Sequence, residues 1–313
     1  MPALPDRTYA VLGLCSRLVD TGGVSPLKAR EYWELADRVG DISTLVGASV
    51  GDLTARGVDA GEAERCVRLL DRAGGLALAL EELSNIGVWT VVDGDEGYPE
   101  GLRRLGRQAP PLLHGAGPPS LVDQPALGIV GSRNVDESGA EVARDAARRA
   151  VSRGWRVVSG GARGVDQLAM AAALDAGGET VGVLAESLLR RLRGSDVRQA
   201  VHDERLCLLT PYKPDAGFSV ANAMGRNKLI YALANVTLVV ATDADTGGTW
   251  AGATEALRRR FGDVAVWSGT GEGPGNEALA AKGARSMTEL GDLFVEGSRV
   301  PEVEYTDQLD LGF

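Results

Sequence analysis

The sequence predicts an α/β fold in which a doubly wound, mostly parallel sheet follows a small helical N-terminal domain. Two observations lead to this prediction. From residue 126 onward, short apolar runs alternate with segments of helical periodicity, as in a parallel sheet covered by helices on both faces. Up to residue 87, the periodicity is helical throughout. We therefore expect a helical domain at 1–87 and a sheet domain at 88–298.

The N-terminal region reads as short helices joined by Gly and Asp turns. Thr8–Asp20 places apolar residues at helical spacing. Ser25-Pro26 is typical of an N-cap followed by proline at the first helical position, so a helix is expected from there to about Val39. Further helices are expected at Val50–Arg56, Ala60–Ala73 and Gly75–Ile86.

Residues 88–125 form a lead-in to the sheet. VWTVVD predicts a strand, DEGYPEGLRRL predicts a turn entering a short helix, and APPLLHGAGPP predicts an extended segment bounded by prolines. His114 lies in the extended segment, where we expect it to make a local hydrogen bond rather than to act in catalysis.

The core of the sheet domain is expected at 126–298, followed by an acidic tail at 299–313. The predicted strands are Ala126–Val130, Trp155–Val158, Thr180–Leu184, Leu206–Thr210, Thr237–Thr242 and Val264–Trp267. The predicted helices are Glu137–Arg153, Val165–Ala176, Asn222–Ala234 and Thr249–Arg260. A cluster of arginines at 190, 191, 193 and 198 is expected on a surface loop.

Composition excludes several classes of function. The chain holds two histidines and has no CxxC or HxxxH spacing, so neither a zinc site nor a histidine-centred triad is expected, and no cofactor is implied. Its three cysteines are widely spaced, which favours a reducing, cytoplasmic location over a disulfide framework. The longest uncharged apolar stretch, Tyr231–Ala241, is far shorter than the ~20 residues that cross a membrane.

Charge is distributed unevenly along the chain. The formal net charge is −10, which argues against coating duplex DNA by charge alone. Residues 1–127 hold 12 basic and 18 acidic groups, and residues 271–313 hold 3 and 9. Residues 128–270 hold 18 basic and 16 acidic groups, a net charge of +2. The middle segment is therefore the part suited to a polyanion.

Three glycine-containing loops follow predicted strands, where open parallel sheets place their ligands. Glycines there let backbone amides approach an anion, and the following helix N-terminus adds a favourable dipole. Each loop alone is equally well explained as a tight strand-to-helix turn, but all three at one sheet edge favour a phosphate-binding crevice. The candidate residues are Gly131, Ser132 and Arg133 in the first loop, Ser159, Gly160, Gly161, Arg163 and Gly164 in the second, and Gly247, Gly248 and Thr249 in the third.

A fourth candidate segment lies in the predicted helix at Asn222–Ala234. Its first half carries Arg226, Asn227 and Lys228, and cations there are unfavourable for the helix dipole unless an anion lies nearby. A solvated helix face explains the same residues equally well. Arg258, Arg259 and Arg260, by contrast, end a predicted helix, where cations are favoured for structural reasons.

These residues occur in motifs that resemble the DNA-processing protein A family. The resemblance runs from about Trp89 to Met287, and its pieces occur in the family's order. They are DEGYPEGLRRL with PPLLHGAG, then GIVGSR, then VVSGGARGVDQLAMAAALDAG, then MGRNKLIYALANVTLVVA. Three departures stand out: Met170 replaces a histidine, Lys228 replaces an arginine, and ADTGGTWAGATEAL replaces a serine-glycine loop. The chain therefore looks like a divergent branch.

The resemblance implies an extended Rossmann-like fold in a cytoplasmic, homodimeric protein. It also implies binding of single-stranded DNA and help in loading a RecA-type recombinase during DNA uptake, with no catalytic residue. Carried over by position, the anion contacts would come from 131–133, from Ser159, Gly160 and Arg163, and from 226–228. Asp166, at the start of its helix, is expected to cap it and shape the loop.

Two other functions remain open at this stage. The GGT loop also resembles the cytokinin-activating phosphoribohydrolases, in which a glutamate of the following helix is in the active site. Glu255 is the nearest counterpart here, displaced by one residue, so a nucleotide sensor or a nucleoside-monophosphate hydrolase is the alternative. An interaction scaffold using the acidic helical region is a third. At this point both DNA and a small nucleotide stay open as the ligand, and the pathway stays open too.

Overall fold

The computed structural model describes residues 4–294, so the predicted acidic tail at 299–313 lies outside the described residues. Within them, helices occupy the chain as far as Asn85 and the first strand begins at Val88. The α/β class, with helices preceding a mostly parallel sheet, is confirmed. The domain boundaries at 87 and 298 stay predictions.

The N-terminal helices follow the sequence expectation with one correction. They are α1 (Asp6–Cys15), α2 (Ala29–Val39), α3 (Val50–Ala55), α4 (Ala60–Leu70) and α5 (Ala73–Asn85), with a 3-10 turn at Ile42–Leu45. The predicted start of α2 at Ser25-Pro26 is wrong. The Leu27 amide instead donates to the Leu14 carbonyl at 2.8 Å, which ties this segment to α1. The helix starts after Lys28, and the backbone amide of Lys28 donates a hydrogen bond to the Glu31 carboxylate at 2.7 Å.

Within the described residues, one sheet of nine strands forms the centre of the molecule. The strands are β1 (Val88–Val92), β2 (Leu112–Ala116), β3 (Ala126–Val130), β4 (Arg156–Ser159), β5 (Thr180–Val183), β6 (Leu206–Thr210), β7 (Val236–Val239), β8 (Asp263–Trp267) and β9 (Arg285–Met287). Their order is β1-β2-β6-β5-β4-β3-β7-β8-β9. Strands β1 and β2 are antiparallel to each other, β2 is antiparallel to β6, and all other neighbours are parallel.

Helices cover both faces of the sheet. Successive residues of a strand point to opposite faces, and here Val157 packs in one apolar cluster while Val158 packs in another. The first cluster lies under α6 (Glu137–Ser152) and α7 (Val165–Asp175), and the second under α10 (Val220–Leu233), α11 (Gly247–Arg259) and α12 (Asn276–Ala281). Because both faces of the sheet are buried, the strands have continuous apolar sequences.

The arginine cluster at 190–198 was wrongly expected on a loop. Arg190 and Arg191 lie on a short helix, α8 (Leu188–Arg191), and Arg198 lies on another, α9 (Ser195–His202), while Arg193 is in the turn between them. Ser187 caps α8 by accepting from the Arg190 amide at 3.1 Å. Helix periodicity is weak over so few residues, which is why the sequence pattern missed both.

The helical region is joined to the antiparallel edge of the sheet through a buried carboxylate. Arg7 donates through Nε to the Asp93 carbonyl at 2.9 Å and pairs through Nη2 with its carboxylate at 2.5 Å. Tyr32 donates its hydroxyl to the same carboxylate at 3.3 Å. Val92 and Leu112 share an apolar cluster with the helices. Polar and apolar contacts therefore fix the helices against β1 and β2.

His114 makes the local contact expected of it. It lies in β2 directly opposite Thr90 of β1, and its Nδ1 is 2.8 Å from the Thr90 hydroxyl. The side chain is buried, and burial lowers the pKa of His114 to about 4. The neutral imidazole is thus the form that the fold stabilises.

The low pKa of His114 predicts acid sensitivity of the fold. Its unfolded pKa is ~6.5, so the unfolded state binds the proton first as the pH falls, and stability is lost between ~6.5 and about 4. From pH 7 to pH 5 this group should cost about 2 kcal/mol of unfolding free energy. The check is urea denaturation of the wild type and of His114→Gln at both pH values. An equal loss in the two proteins would contradict the assignment.

Candidate nucleic-acid interface

Three loops meet at the carboxyl edge of the sheet. The β3 loop (residues 131–136), the β4 loop (160–164) and the β7 loop (240–246) follow strands that are adjacent in the order β4-β3-β7. The chain moves outward from β3 to β6 on one side and from β7 to β9 on the other, so the connections diverge between β3 and β7. Open α/β sheets bind their ligands in the crevice at such a switch point.

Two adjacent cavities occupy this crevice. The main cavity, of about 370 Å³, lies between the β3 loop, the β7 loop and the first half of α10. The side cavity, of about 340 Å³, lies between the β4 loop, the residues that follow β5 and the side chain of Arg133. Arg133, Phe218 and Arg226 line both cavities. The two spaces are therefore parts of one continuous site.

Glycines let the β3 and β4 loops pack against each other. Gly164 has a φ of +85°, and a Cβ there would collide with the Ser132 carbonyl. The Val165 amide donates to the same carbonyl at 3.3 Å. Arg163 donates through Nη2 to the Asn134 amide oxygen at 2.8 Å, which adds a side-chain bond between the loops.

Arg226 is the buried cation at the centre of the site. Only 5 % of the residue is exposed, and its guanidinium lies over Gly160, where any Cβ would collide with Nη1. Its Nε and Nη1 have no hydrogen-bond partner among residues 4–294. Burial lowers the pKa of Arg226, while the nearby carboxylate of Asp166 raises it. Buried donors of this kind are normally satisfied, so an anion in the cavity is the expected partner.

Asp166 connects the two loops beneath Arg226. The side chain is buried in the first turn of α7, and its Oδ2 accepts from the Gly160 amide at 3.1 Å. Burial raises the pKa of Asp166, whereas Arg226 and the amides of Ala162, Gly160 and Gly131 lower it. The carboxylate thus ties the β4 loop to α7, which is the loop-shaping role expected from the sequence. The expected capping role is wrong, because the N-cap of α7 is Gly164 and no side chain caps the helix.

Most of the sequence-predicted residues line the two cavities. Those at the main cavity are Gly131, Ser132, Arg133, Arg226, Asn227, Gly247, Gly248 and Thr249. Those at the side cavity are Arg133, Gly160, Gly161, Arg163 and Arg226. Thr249 donates its hydroxyl to the Gly131 carbonyl at 3.0 Å, and Asn227 donates to the Gly248 carbonyl at the same distance. These two side chains hold the start of α11 against the β3 loop and α10.

Three predicted residues line neither cavity. Ser159 is fully buried, and its hydroxyl donates to the Ile129 carbonyl at 2.6 Å. Gly164 lies where the two loops touch. Lys228 donates from Nζ to the Gln108 side chain at 3.0 Å, and burial lowers the pKa of Lys228 while Glu255 raises it. Lys228 therefore faces the lead-in segment and not the crevice.

Glu255 also lies away from the crevice. It is on α11, more than a turn beyond Thr249, and it lines neither the main nor the side cavity. Its charge acts on Lys228 instead. The geometry therefore removes the carboxylate on which the hydrolase alternative was based.

Sequence reasoning missed an apolar wall of the site. Phe218, Val220 and Met224 are 50 %, 72 % and 38 % exposed, and all three line the main cavity. Val220 and Met224 are four residues apart on α10, so they share one face of the helix. The Arg133 guanidinium lies 5.5 Å from the centre of the Phe218 ring. The available sequence signal was the position of Phe218 directly before Ser219, the residue that caps α10.

Among residues 4–294 there is no cluster of His, Cys, Asp or Glu side chains that could hold a metal ion. No helix in this part is long and apolar enough to span a membrane.

The doubly wound sheet, with a crevice lined by glycines and arginines at its switch point, defines a protein of the Rossmann-like α/β class. Residues 89–297 match the model of the DNA recombination-mediator protein A family, and the chain belongs to that family. It is 28 % identical over 228 residues to the DNA processing protein DprA of Bacillus subtilis (strain 168), covering 71 % of this chain and 75 % of that protein. It is 34 % identical over 169 residues to a putative DprA of Mycobacterium tuberculosis (strain ATCC 25618 / H37Rv), covering 50 % of this chain and 40 % of that protein.

Solved structures show the same fold. DprA from Streptococcus pneumoniae superimposes with a TM-score of 0.73 at 20 % identity, covering 95 % of this chain and 99 % of that chain. DNA processing protein A from Helicobacter pylori superimposes with a TM-score of 0.54 at 22 % identity. That structure was reported for the single-stranded DNA binding mode of the Helicobacter pylori protein. It covers 65 % of this chain and 93 % of that chain.

The buried pair of Arg226 and Asp166 predicts an asymmetric response to substitution. Asp166→Ala removes a nearby counter-charge of the buried Arg226 and the acceptor of the Gly160 amide, and should cost about 1–3 kcal/mol of unfolding free energy. Arg226→Met should cost less at pH 5 than at pH 7, because the carboxyl left behind can take up a proton. Urea denaturation at both pH values measures this. A larger loss for Arg226→Met at pH 5 would contradict it.

Proposed function

We propose that this protein binds single-stranded DNA along the crevice and acts without catalysis. The observation that carries the proposal is the buried Arg226, which lines both cavities and carries guanidinium donors that no described residue satisfies. The Helicobacter pylori structure, described as binding single-stranded DNA, has the same fold and supports this ligand class.

The phosphate groups would be held by cations and backbone amides. Arg133 and Arg163 are exposed at the crevice, and neither forms an ion pair within residues 4–294. The N-terminus of α11 opens with Gly247 and Gly248 on the main cavity, so its amides and dipole favour an anion there. A local positive field of this kind can bind a polyanion despite the chain's net charge of −10.

The bases would pack on the apolar wall. Phe218 is half exposed, and Val220 and Met224 extend the apolar surface beside it. Single-strand-binding proteins combine a cationic groove with aromatic side chains on which bases stack. The wall and the arginines lie on the same cavity, which matches that combination.

We also propose a RecA-type recombinase as partner, a homodimer as the working unit and the cytoplasm as location. The family's description as a recombination mediator supports the recombinase, and loading of that recombinase during DNA uptake is the role that fits it. Light scattering of the purified protein tests the dimer, and co-sedimentation with a RecA-type recombinase on oligonucleotide beads tests the partner.

Removing the exposed arginines should weaken binding of an oligothymidylate. Arg133→Ala and Arg163→Ala should each raise Kd roughly tenfold, because each loses a charge-assisted hydrogen bond to phosphate. Each should also reduce the salt slope by ~0.7 per lost contact. Fluorescence anisotropy over a salt series measures both effects.

Arg149→Ala is the matched control for these variants. Arg149 is exposed on α6 and pairs with Asp145 at 2.8 Å, away from both cavities. Its loss should leave Kd and salt slope unchanged. Wild-type protein that binds no oligothymidylate at low salt would overturn the proposed function.

Phe218→Ala should weaken binding through the bases alone. Loss of one stacked base costs ~1–3 kcal/mol, so Kd for oligothymidylate should rise roughly fivefold or more with the salt slope unchanged. An abasic strand of equal length lacks the stacking base, so the same substitution should not affect its Kd. Leu78→Ala, which removes a 59 % exposed side chain on α5, is the control. Equal losses for both strands would contradict base stacking.

A further inference from the structure

One carboxylate of the main cavity has no partner. Asp243 lines this cavity from the β7 loop, and its exposed side chain makes no hydrogen bond or ion pair among residues 4–294. It does not line the side cavity, where Arg133, Arg163 and Arg226 converge. The carboxylates that act on Arg226 are those of Asp166 and Glu186, and Asp243 is not among them. The main cavity therefore presents a free carboxylate acceptor in addition to Arg133 and Arg226, which line it as well.

The backbone that carries Asp243 is held firmly. The buried Asn276 accepts from the Thr242 amide at 3.0 Å, and its own amide donates to the Val240 and Trp267 carbonyls at 2.8 Å each. Gly275 packs against the Asp243 carbonyl, since a Cβ there would lie 2.5 Å from it. The loop is thus positioned while the carboxylate itself stays available, as in a preorganised recognition site.

The chemistry of a carboxylate restricts what it can contact on a nucleic acid. An ionised carboxylate only accepts hydrogen bonds, so it repels phosphate and selects N–H groups. On its Watson–Crick edge, guanine places two donors side by side, at N1 and N2. Adenine and cytosine each offer one amino group beside an acceptor, and the single donor of thymine lies between two carbonyls. Guanine is therefore the base that two carboxylate oxygens fit best.

We propose that Asp243 is a specificity-determining residue that reads guanine in the bound strand. This inference rests on the proposed function and extends it from phosphate binding to base selection. The base ring lies against Phe218 and Met224, its phosphate faces Arg226, and its Watson–Crick edge faces Asp243.

The test compares three strands of equal length by fluorescence anisotropy in lithium buffer, which prevents guanine quadruplexes. One is an oligothymidylate, the second carries isolated guanines, and the third carries inosine at the same positions and so lacks N2. The wild type should bind the guanine strand roughly fivefold or more tightly than oligothymidylate, with inosine in between. Asp243→Asn and Asp243→Ala should abolish this ratio, and should raise the affinity for oligothymidylate because a negative charge is removed.

Asp245→Asn is the matched control. Asp245 is exposed two residues further along the same loop and does not line the main cavity, so its loss should leave the ratio intact. Equal affinity of wild type for all three strands, or a preference that persists in Asp243→Asn, overturns the inference while the proposed function stands. Absence of binding to every strand overturns both.

Discussion

The site depends on the burial of one guanidinium group. Arg226 occupies the space that a side chain at position 160 would fill, and Asp166 lies beneath it with backbone amides as its other donors. A buried charge normally needs a partner, and here Nε and Nη1 of the guanidinium have none among the described residues. In the proposed function, this unmet hydrogen-bonding capacity of Arg226 would contribute to the binding of an anion in the crevice.

The sheet topology places the groups that this pair requires. Strands β4, β3 and β7 are neighbours, so their three loops end side by side although they are far apart in the chain. Glycines at 131, 160 and 164 then let the loops and Arg226 approach closely. The crevice is therefore a joint product of strand order and of positions without a Cβ.

Much of this arrangement could be predicted from sequence because it follows from local patterns. Apolar runs, helix periodicity and glycines after strands are local signals, and strand order brings the loops together by a general rule. The direction in which a side chain points, by contrast, depends on residues that are distant in the chain. Ser159 and Lys228 occur in the right motifs, yet Ser159 is buried against Ile129 and Lys228 is drawn to Gln108, a residue 120 positions away. Phe218 and Asp243 were missed because a single exposed side chain leaves no periodic signal.

The helical region is attached to the sheet at a margin remote from the crevice. Arg7 and Tyr32 fix the helices to Asp93 at the β1–β2 margin, and three strands separate β2 from β3. At ~4.8 Å per strand, β2 lies roughly 20 Å from the switch point. Surface changes on the helices can therefore accumulate, or be engineered to recruit a different neighbour, without touching the residues that would grip a nucleic acid.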